Sequence, residues 1–184
     1  MTGRRKFGRR GLLGMVATGF AALATPYKAG AVTGPVHWQD HFDSLANGAI
    51  LADTRGGALH FWTAEGAVHR LYPIAADGGG ALRRGVAQVV RKVEGPTWRP
   101  SAGAGGATAG GPGGSVAGRA GIVPPGPDNP LGSHALYLDW QGVRIHGRGE
   151  SAQLPQVGTG ISLSNAHIAE LFPLARIGMP VKVL

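Results

Sequence analysis

The run Val157-Gly158-Thr159-Gly160-Ile161-Ser162-Leu163-Ser164-Asn165, with its continuation to Leu184, is the part of the chain that decides the fold. Asn165, preceded by Ser164, is a good helix N-cap. Beyond it Ile168, Leu171, Phe172 and Ala175 recur at three- and four-residue intervals and form one buried helical face. Pro173 lies inside that run and is set to shorten or kink the helix. Gly178 suits a C′ position, and Pro180 follows at the expected distance. Val181-Lys182-Val183-Leu184 then reads as a terminal strand.

Working back towards the amino terminus, strand signals dominate. Ala135–Trp140 and Val143–His146 are short strands around a Gln141-Gly142 turn. Pro124–Pro127 and Asn129–Gly132 are turn chemistry. Gly85–Val93 is a strand, and Pro96-Thr97-Trp98-Arg99-Pro100 is extended, proline-restricted chain. Ala58–Thr63 and Val68–Ile74 flank Glu65-Gly66 and read as a hairpin. Its alternation places Val68, Arg70 and Tyr72 on one face. Ala49–Ala52 is a further apolar run. Many short strands and one helix imply a mainly β domain. Residues 101–121 contain nine Gly and six Ala in 21 positions. Such a segment buries too little apolar surface to offset its ordering entropy, so it is expected as a flexible loop inside the domain.

The chain has 184 residues, 33 of them Gly, 13 Pro and no Cys. Without cysteine there is no disulfide scaffold, no thiolate metal site and no thiol nucleophile. The formal charge is +8, but six of the 18 Lys and Arg fall in residues 1–30, where there is no acid. The remaining 12 face all 10 Asp and Glu. The folded part therefore has little electrostatic footprint for nucleic acid.

Residues 1–31 read as an export signal. Arg4, Arg5, Lys6, Arg9 and Arg10 precede the apolar run Gly11–Ala24, which at 14 residues is shorter than the roughly 20 that a spanning helix needs. Ala22-Leu23-Ala24 and Ala29-Gly30-Ala31 both suit a cleavage site. Arg9-Arg10-Gly11-Leu12-Leu13 fits a twin-arginine signal, with an ordinary secretory signal or an uncleaved anchor as the alternative. The expected address is the periplasm or cell envelope, reached through the export machinery. Residues 32–49 are expected as an N-terminal extension, and 50–184 as the domain.

Several kinds of chemistry lack support. His37 and His41 bracket Asp40 at a helical spacing, but the stretch has no helical periodicity and no third ligand. No phosphate loop, no H-E-x-x-H and no G-x-S-x-G occurs. No cofactor is implied.

The carboxy-terminal third resembles the L,D-transpeptidase (YkuD-like) family. The resemblance rests on Pro124–Gly132, Ala135–Leu138, Ile145-His146-Gly147, Ile161–Asn165 and Gly178–Leu184, in that order. Residues 58–74 and Trp98-Arg99-Pro100 fit the family's first half. It implies a β-sandwich of mixed sheets with a short C-terminal helix and terminal strand. It also implies a cleft that acts on peptidoglycan stem peptides as an acyltransferase.

The family motif is S-[HSR]-G-C-[IV]-R-[LM]-x-N. Its Cys attacks a stem-peptide carbonyl, and the His of I-H-G activates the thiol. Aligned on Asn165, Gly160 stands at the Cys, Thr159 at the Gly, Ser162 at the Arg and Val157 at the Ser. His146 and Gly147 are retained, so the base is a remnant without its nucleophile. The resemblance thus implies a pseudoenzyme of cell-wall metabolism. Gly158-Thr159-Gly160 is expected to keep a loop of backbone N–H donors. Arg144, Arg148, Gly147 and Gly158 are the candidate substrate contacts. Two alternatives stay open: catalysis by the Thr159 or Ser162 hydroxyl with His146 as base, and a regulatory partnership with an active L,D-transpeptidase.

Overall fold

The apolar patterning builds nine strands and one α-helix, and the computed structural model describes residues 36–77, 82–99, 121–150 and 157–184. In chain order these are β1 (Ala49–Asp53), β2 (Ala58–Trp62), β3 (His69–Pro73), β4 (Ala75–Asp77), β5 (Gly85–Glu94), β6 (His134–Leu138), β7 (Arg144–His146), β8 (Gly160–Ser162), α1 (Asn165–Leu174) and β9 (Pro180–Val183). Residues 1–31, expected as an export signal, and all of the Gly/Ala-rich segment except Gly121 lie outside the described residues.

The strands are ordered β3-β2-β1-β9-β5-β6-β7-β8-β4. The β1–β9 and β7–β8 pairs are parallel and the other pairs antiparallel. The mainly β, mixed architecture therefore stands, with one refinement. The two halves expected of a sandwich are a single hydrogen-bonded sheet, because β5 belongs to both. Gly85–Gln88 pair with β9 and Val89–Glu94 with β6, with a register slip between Val89 and Arg91. A bulge of this kind bends a strand and increases its twist. Only Ile74 separates β3 from β4, so the two outermost strands of the order are consecutive in the chain and the sheet curls towards a barrel.

Sequence pattern explains which faces are buried. Ile50 and Ala52 of β1 point into the main core with Leu59, Phe61, Leu136, Ile145, Ile161, Ile168 and Leu171. Ala49 and Leu51 point the other way, into a second cluster with Phe42, Leu45 and Trp62. The run Ala49-Ile50-Leu51-Ala52 is apolar without alternation because both its faces are covered. Residues of the expected N-terminal extension supply the outer cover, with Val36 and Trp38 packed on the same cluster. Each fully buried Leu or Ile contributes about 1.5–3 kcal/mol.

Several local expectations are corrected. The β2–β3 connection spans residues 63–68 and includes a 3-10 turn at Ala64–Gly66, so it is longer than a tight Glu65-Gly66 hairpin. Leu45 anchors it, its carbonyl accepting the Glu65 N–H at 3.1 Å. Of Val68, Arg70 and Tyr72 only Tyr72 is buried, because β3 ends the strand order. The N-cap of α1 is Ser164, whose Oγ accepts the His167 N–H at 3.2 Å; Asn165 is the first helical residue. The helix ends at Ala175, which turns to an extended ψ of 140° just after Pro173. Gly178 is thus not the C′ residue. It lies in the turn into β9 and donates its N–H to the Val89 carbonyl at 2.8 Å. The turn at Asn129–Gly132 stands, the Asn129 carbonyl accepting the Gly132 N–H at 2.9 Å; its fully buried side chain also donates from Nδ2 to the carbonyls of Pro96 (2.6 Å) and Pro124 (3.0 Å).

The outer cluster carries a titratable pair. His60 Nδ1 and His69 Nε2 are 3.1 Å apart in rings inclined by 3°. Trp62 lies 5.7 Å and 4.9 Å from their centroids. One proton fits between two imidazole nitrogens so placed. Burial lowers the His60 pKa first, and the neighbouring His69 and His41 lower it further against Asp53. The folded state therefore binds fewer protons than the unfolded state below the ordinary His value of 6.5. Stability is expected to be full above that pH and to fall as pH drops through the lowered value. Urea midpoints measured from pH 8 to 5 test this; a flat profile, or one unchanged by His60→Phe, rejects it.

Candidate active site

The second half of the sheet turns one face to the core and the other to the site. Ile145 is paired with Leu136 and with Ile161, and all three are core residues. Alternation then places Arg144 and His146 together on the opposite face. Gly160 is the strand partner of Asp77, and Ser162 is the partner of both His146 and Ala75.

His146 is fully buried. Its Nδ1 lies 2.6 Å from the Gly147 carbonyl, which only accepts, so Nδ1 carries the proton. Nε2 is left facing the site, 3.2 Å from Asp77 Oδ2. The contact is an ion pair only when Nε2 is protonated as well, and neither buried atom has an aligned hydrogen-bond partner among the described residues.

Gly160 stands directly against that nitrogen. A Cβ built on it would be 3.1 Å from His146 Nε2, 3.3 Å from Cδ2 and 3.1 Å from the Arg144 carbonyl oxygen. A side chain at 160 would therefore start at the imidazole, which is the geometry that a nucleophile–base pair requires. No side chain is there, and the chain has no Cys.

The two hydroxyls do not fill the gap. Ser162 is 2% exposed; its Oγ accepts from Arg148 Nε at 3.0 Å and donates to the Ala75 carbonyl at 3.4 Å. Thr159 is half-buried just before β8. Neither hydroxyl is hydrogen-bonded to His146 among the described residues.

The other candidates fall into two groups. Arg144 is half-buried and holds the motif loop, Nη2 donating to the Val157 carbonyl at 2.5 Å and Nη1 to the Gly142 carbonyl at 3.3 Å. Burial lowers its pKa while Tyr137 and Asp77 raise it; a guanidinium keeps its charge at any physiological pH. Arg148 is exposed apart from its tie to Ser162. Gly158 has φ +84 and open space around it. Gly147 has a packing role: a Cβ there would lie 2.3 Å from Asn165 Oδ1 and 3.2 Å from Ile168 Cγ2. The same Oδ1 accepts the Ser133 N–H at 3.0 Å, so Asn165 clamps the turn after β7 against the start of β6.

Asp77 is the site residue that sequence reasoning missed. It ends a three-residue strand in Ala75-Ala76-Asp77, which is too short for a period-two pattern to register. A cavity of about 430 Å³ beside the Asn165 clamp is lined by Glu94, Ser133, His134 and Glu150 among others, and does not include His146 or Gly160.

Known proteins share this architecture. The catalytic domain of Enterococcus faecium L,D-transpeptidase, in a structure described as acylated by ertapenem, shares the fold. Its TM-score is 0.50 at 18% identity, over 75% of this chain and 97% of that one. A crystallised mutant of the Enterococcus faecium L,D-transpeptidase matches with a TM-score of 0.49 at 19% identity over 75% of this chain; the chain spans 50% of that structure's length. A curated protein of Fuscovulum blasticum, named as a putative L,D-transpeptidase in the ATP synthase subunits region, is 39% identical over 188 residues and 94% of each chain. The description of the YkuD L,D-transpeptidase catalytic domain matches residues 47–183. With that match over most of its length, the chain belongs to the L,D-transpeptidase catalytic domain family.

Proposed function

We propose that this protein is an exported, catalytically silent L,D-transpeptidase-like domain that binds peptidoglycan stem peptides in the cell envelope without forming an acyl-enzyme. One observation carries the reading: the position that abuts His146 Nε2 is Gly160, in a chain without cysteine. Loss of the nucleophile of an acyl-transfer site costs on the order of 10⁶ in rate, about 8 kcal/mol of barrier. Binding does not require that group. The backbone of Gly158-Thr159-Gly160 and the Arg144 and Arg148 guanidiniums remain to hold a peptide. Export by the twin-arginine route, through the signal at residues 1–31, is the matching address.

The test is turnover and affinity measured together. The mature chain is incubated with a disaccharide-tetrapeptide donor and a D-amino acid acceptor, products are followed by mass spectrometry, and donor binding is followed by calorimetry. The expected result is saturable binding with no exchanged product. A product that disappears in His146→Ala would instead establish hydroxyl catalysis, and Thr159→Ala and Ser162→Ala would then assign it. Absence of binding as well would leave partnership with an active L,D-transpeptidase as the role.

A further inference from the structure

Cross-strand register lines up five positions on the site face of the sheet. Arg91 pairs with Tyr137, and Tyr137 with Arg144. The Arg144 carbonyl borders Gly160, and Gly160 pairs with Asp77. Directly paired residues project from the same face of a sheet. The row therefore runs cation, aromatic ring, cation, bare glycine, carboxylate across β5, β6, β7, β8 and β4.

The cationic end is built, and its arginines make no direct ion pair among the described residues, although Asp77 acts on Arg144 through space. Arg91 Cζ lies 3.7 Å from the Tyr137 ring centroid. Stacking fixes the plane of a guanidinium and leaves its N–H edge available for a planar anion. Arg144 is held by two backbone carbonyls, and its Nε is buried without a hydrogen-bond partner. The ion pairs among the described residues are Arg70–Glu170 and His146–Asp77, so neither Arg91 nor Arg144 is paired with a carboxylate. Two cations on strands one apart are about 10 Å from each other at the backbone.

We infer that Arg91, Tyr137 and Arg144 form a shelf that reads the terminal carboxylate of the bound peptide; this rests on the stem-peptide reading above. Charge fixes the direction of the ligand. The carboxylate settles at the arginine end, where charge-assisted hydrogen bonds to planar forks favour it. Asp77, at the far end of the row, repels it. The peptide then runs from the shelf across Gly160 towards His146 and Asp77.

Calorimetry on the purified chain tests this with two probes, a disaccharide-tetrapeptide bearing a free terminal carboxylate and the same molecule as its terminal carboxamide. The free acid is expected to bind at least about tenfold more tightly than the amide. Arg91→Gln, at an exposed site, is expected to remove most of that difference by weakening the acid alone. The acid's advantage is expected to shrink with added salt. Equal affinities for acid and amide, or an Arg91→Gln variant that weakens both by the same factor, would overturn the shelf and leave the stem-peptide reading intact. Failure of both probes to bind the unaltered chain would overturn that reading and the shelf with it.

Discussion

Gly160→Cys is expected to make the protein form a covalent adduct with a carbapenem, whereas the unaltered chain forms none. The argument is geometric. The Cβ of the new residue would start 3.1 Å from His146 Nε2, so the thiol would lie within reach of the imidazole after shifts of a few tenths of an ångström. The Nδ1 proton is already committed to the Gly147 carbonyl, which leaves Nε2 as the nitrogen to take the thiol proton. A thiolate beside an imidazole is the activated form of the nucleophile. Two features limit the recovery. The contacts to Nε2 and to the Arg144 carbonyl are tight by a few tenths of an ångström, and Asp77 competes for the same nitrogen. We therefore expect a gain of at least about 10³ of the roughly 10⁶ that a missing nucleophile costs. Intact-protein mass spectrometry after exposure to ertapenem reads the result, since the Enterococcus faecium domain that shares this fold is described as acylated by that compound. Gly160→Cys with His146→Ala is expected to react far more slowly. A folded Gly160→Cys protein that stays unmodified would show that the site has drifted beyond repair by one residue.

Among the described glycines, Gly132→Ala is expected to be the most damaging added methyl group, with a loss of about 4 kcal/mol. Gly132 has φ +65, which already disfavours a side chain. Its Cβ would lie 2.2 Å from Asn165 Oδ1, 2.6 Å from the Arg148 nitrogen and 2.7 Å from the Gly147 carbonyl carbon. Two of these three neighbours are backbone and cannot swing aside. The Asn165 clamp on the Ser133 N–H would break as well, leaving a polar group unpaired. A drop of roughly 10–15 °C in the melting temperature is the expected signature. Gly147→Ala meets chiefly the Asn165 side chain, so it separates the two causes. In an Asn165→Ala background Gly147→Ala should become much milder, while Gly132→Ala should stay severe. Equal relief of both would mean that side-chain crowding, not backbone collision, dominates.

Where a signal was long or chemically specific, sequence reading reached the structure. The helix and its buried face were visible because Ile168, Leu171 and Ala175 repeat over several turns; the strand expected at Val181–Leu184 is β9, which starts one residue earlier, at Pro180. The pairing of position 160 with His146 was reached through the ordered motif, and its physical basis is a Cβ position 3.1 Å from Nε2. Two kinds of feature escaped. Strands β4 and β8 have three residues each, too few to show a period, and Asp77 was hidden with them. The clamp by Asn165 depends on two glycines 15 residues apart meeting one amide, which no local pattern encodes. The helix start was displaced by one residue because Ser164 and Asn165 are both competent caps, and tertiary contact assigned Asn165 to the clamp instead.

The position of β9 sets when this domain can fold. The strand latest in the chain, Pro180–Val183, lies in the interior of the sheet between β1 and β5, and it pairs in parallel with the earliest strand through Ile50–Ala52. Until Val183 has left the ribosome, the amino-terminal hairpins and the remaining strands have nothing between them to join. Joining the two halves of the sheet therefore waits for β9 and requires closure of a loop that spans nearly the whole domain, a slow, high-contact-order step. A nascent chain of this design keeps its β1 and β5 edges open until β9 emerges, which leaves time for chaperones to engage them.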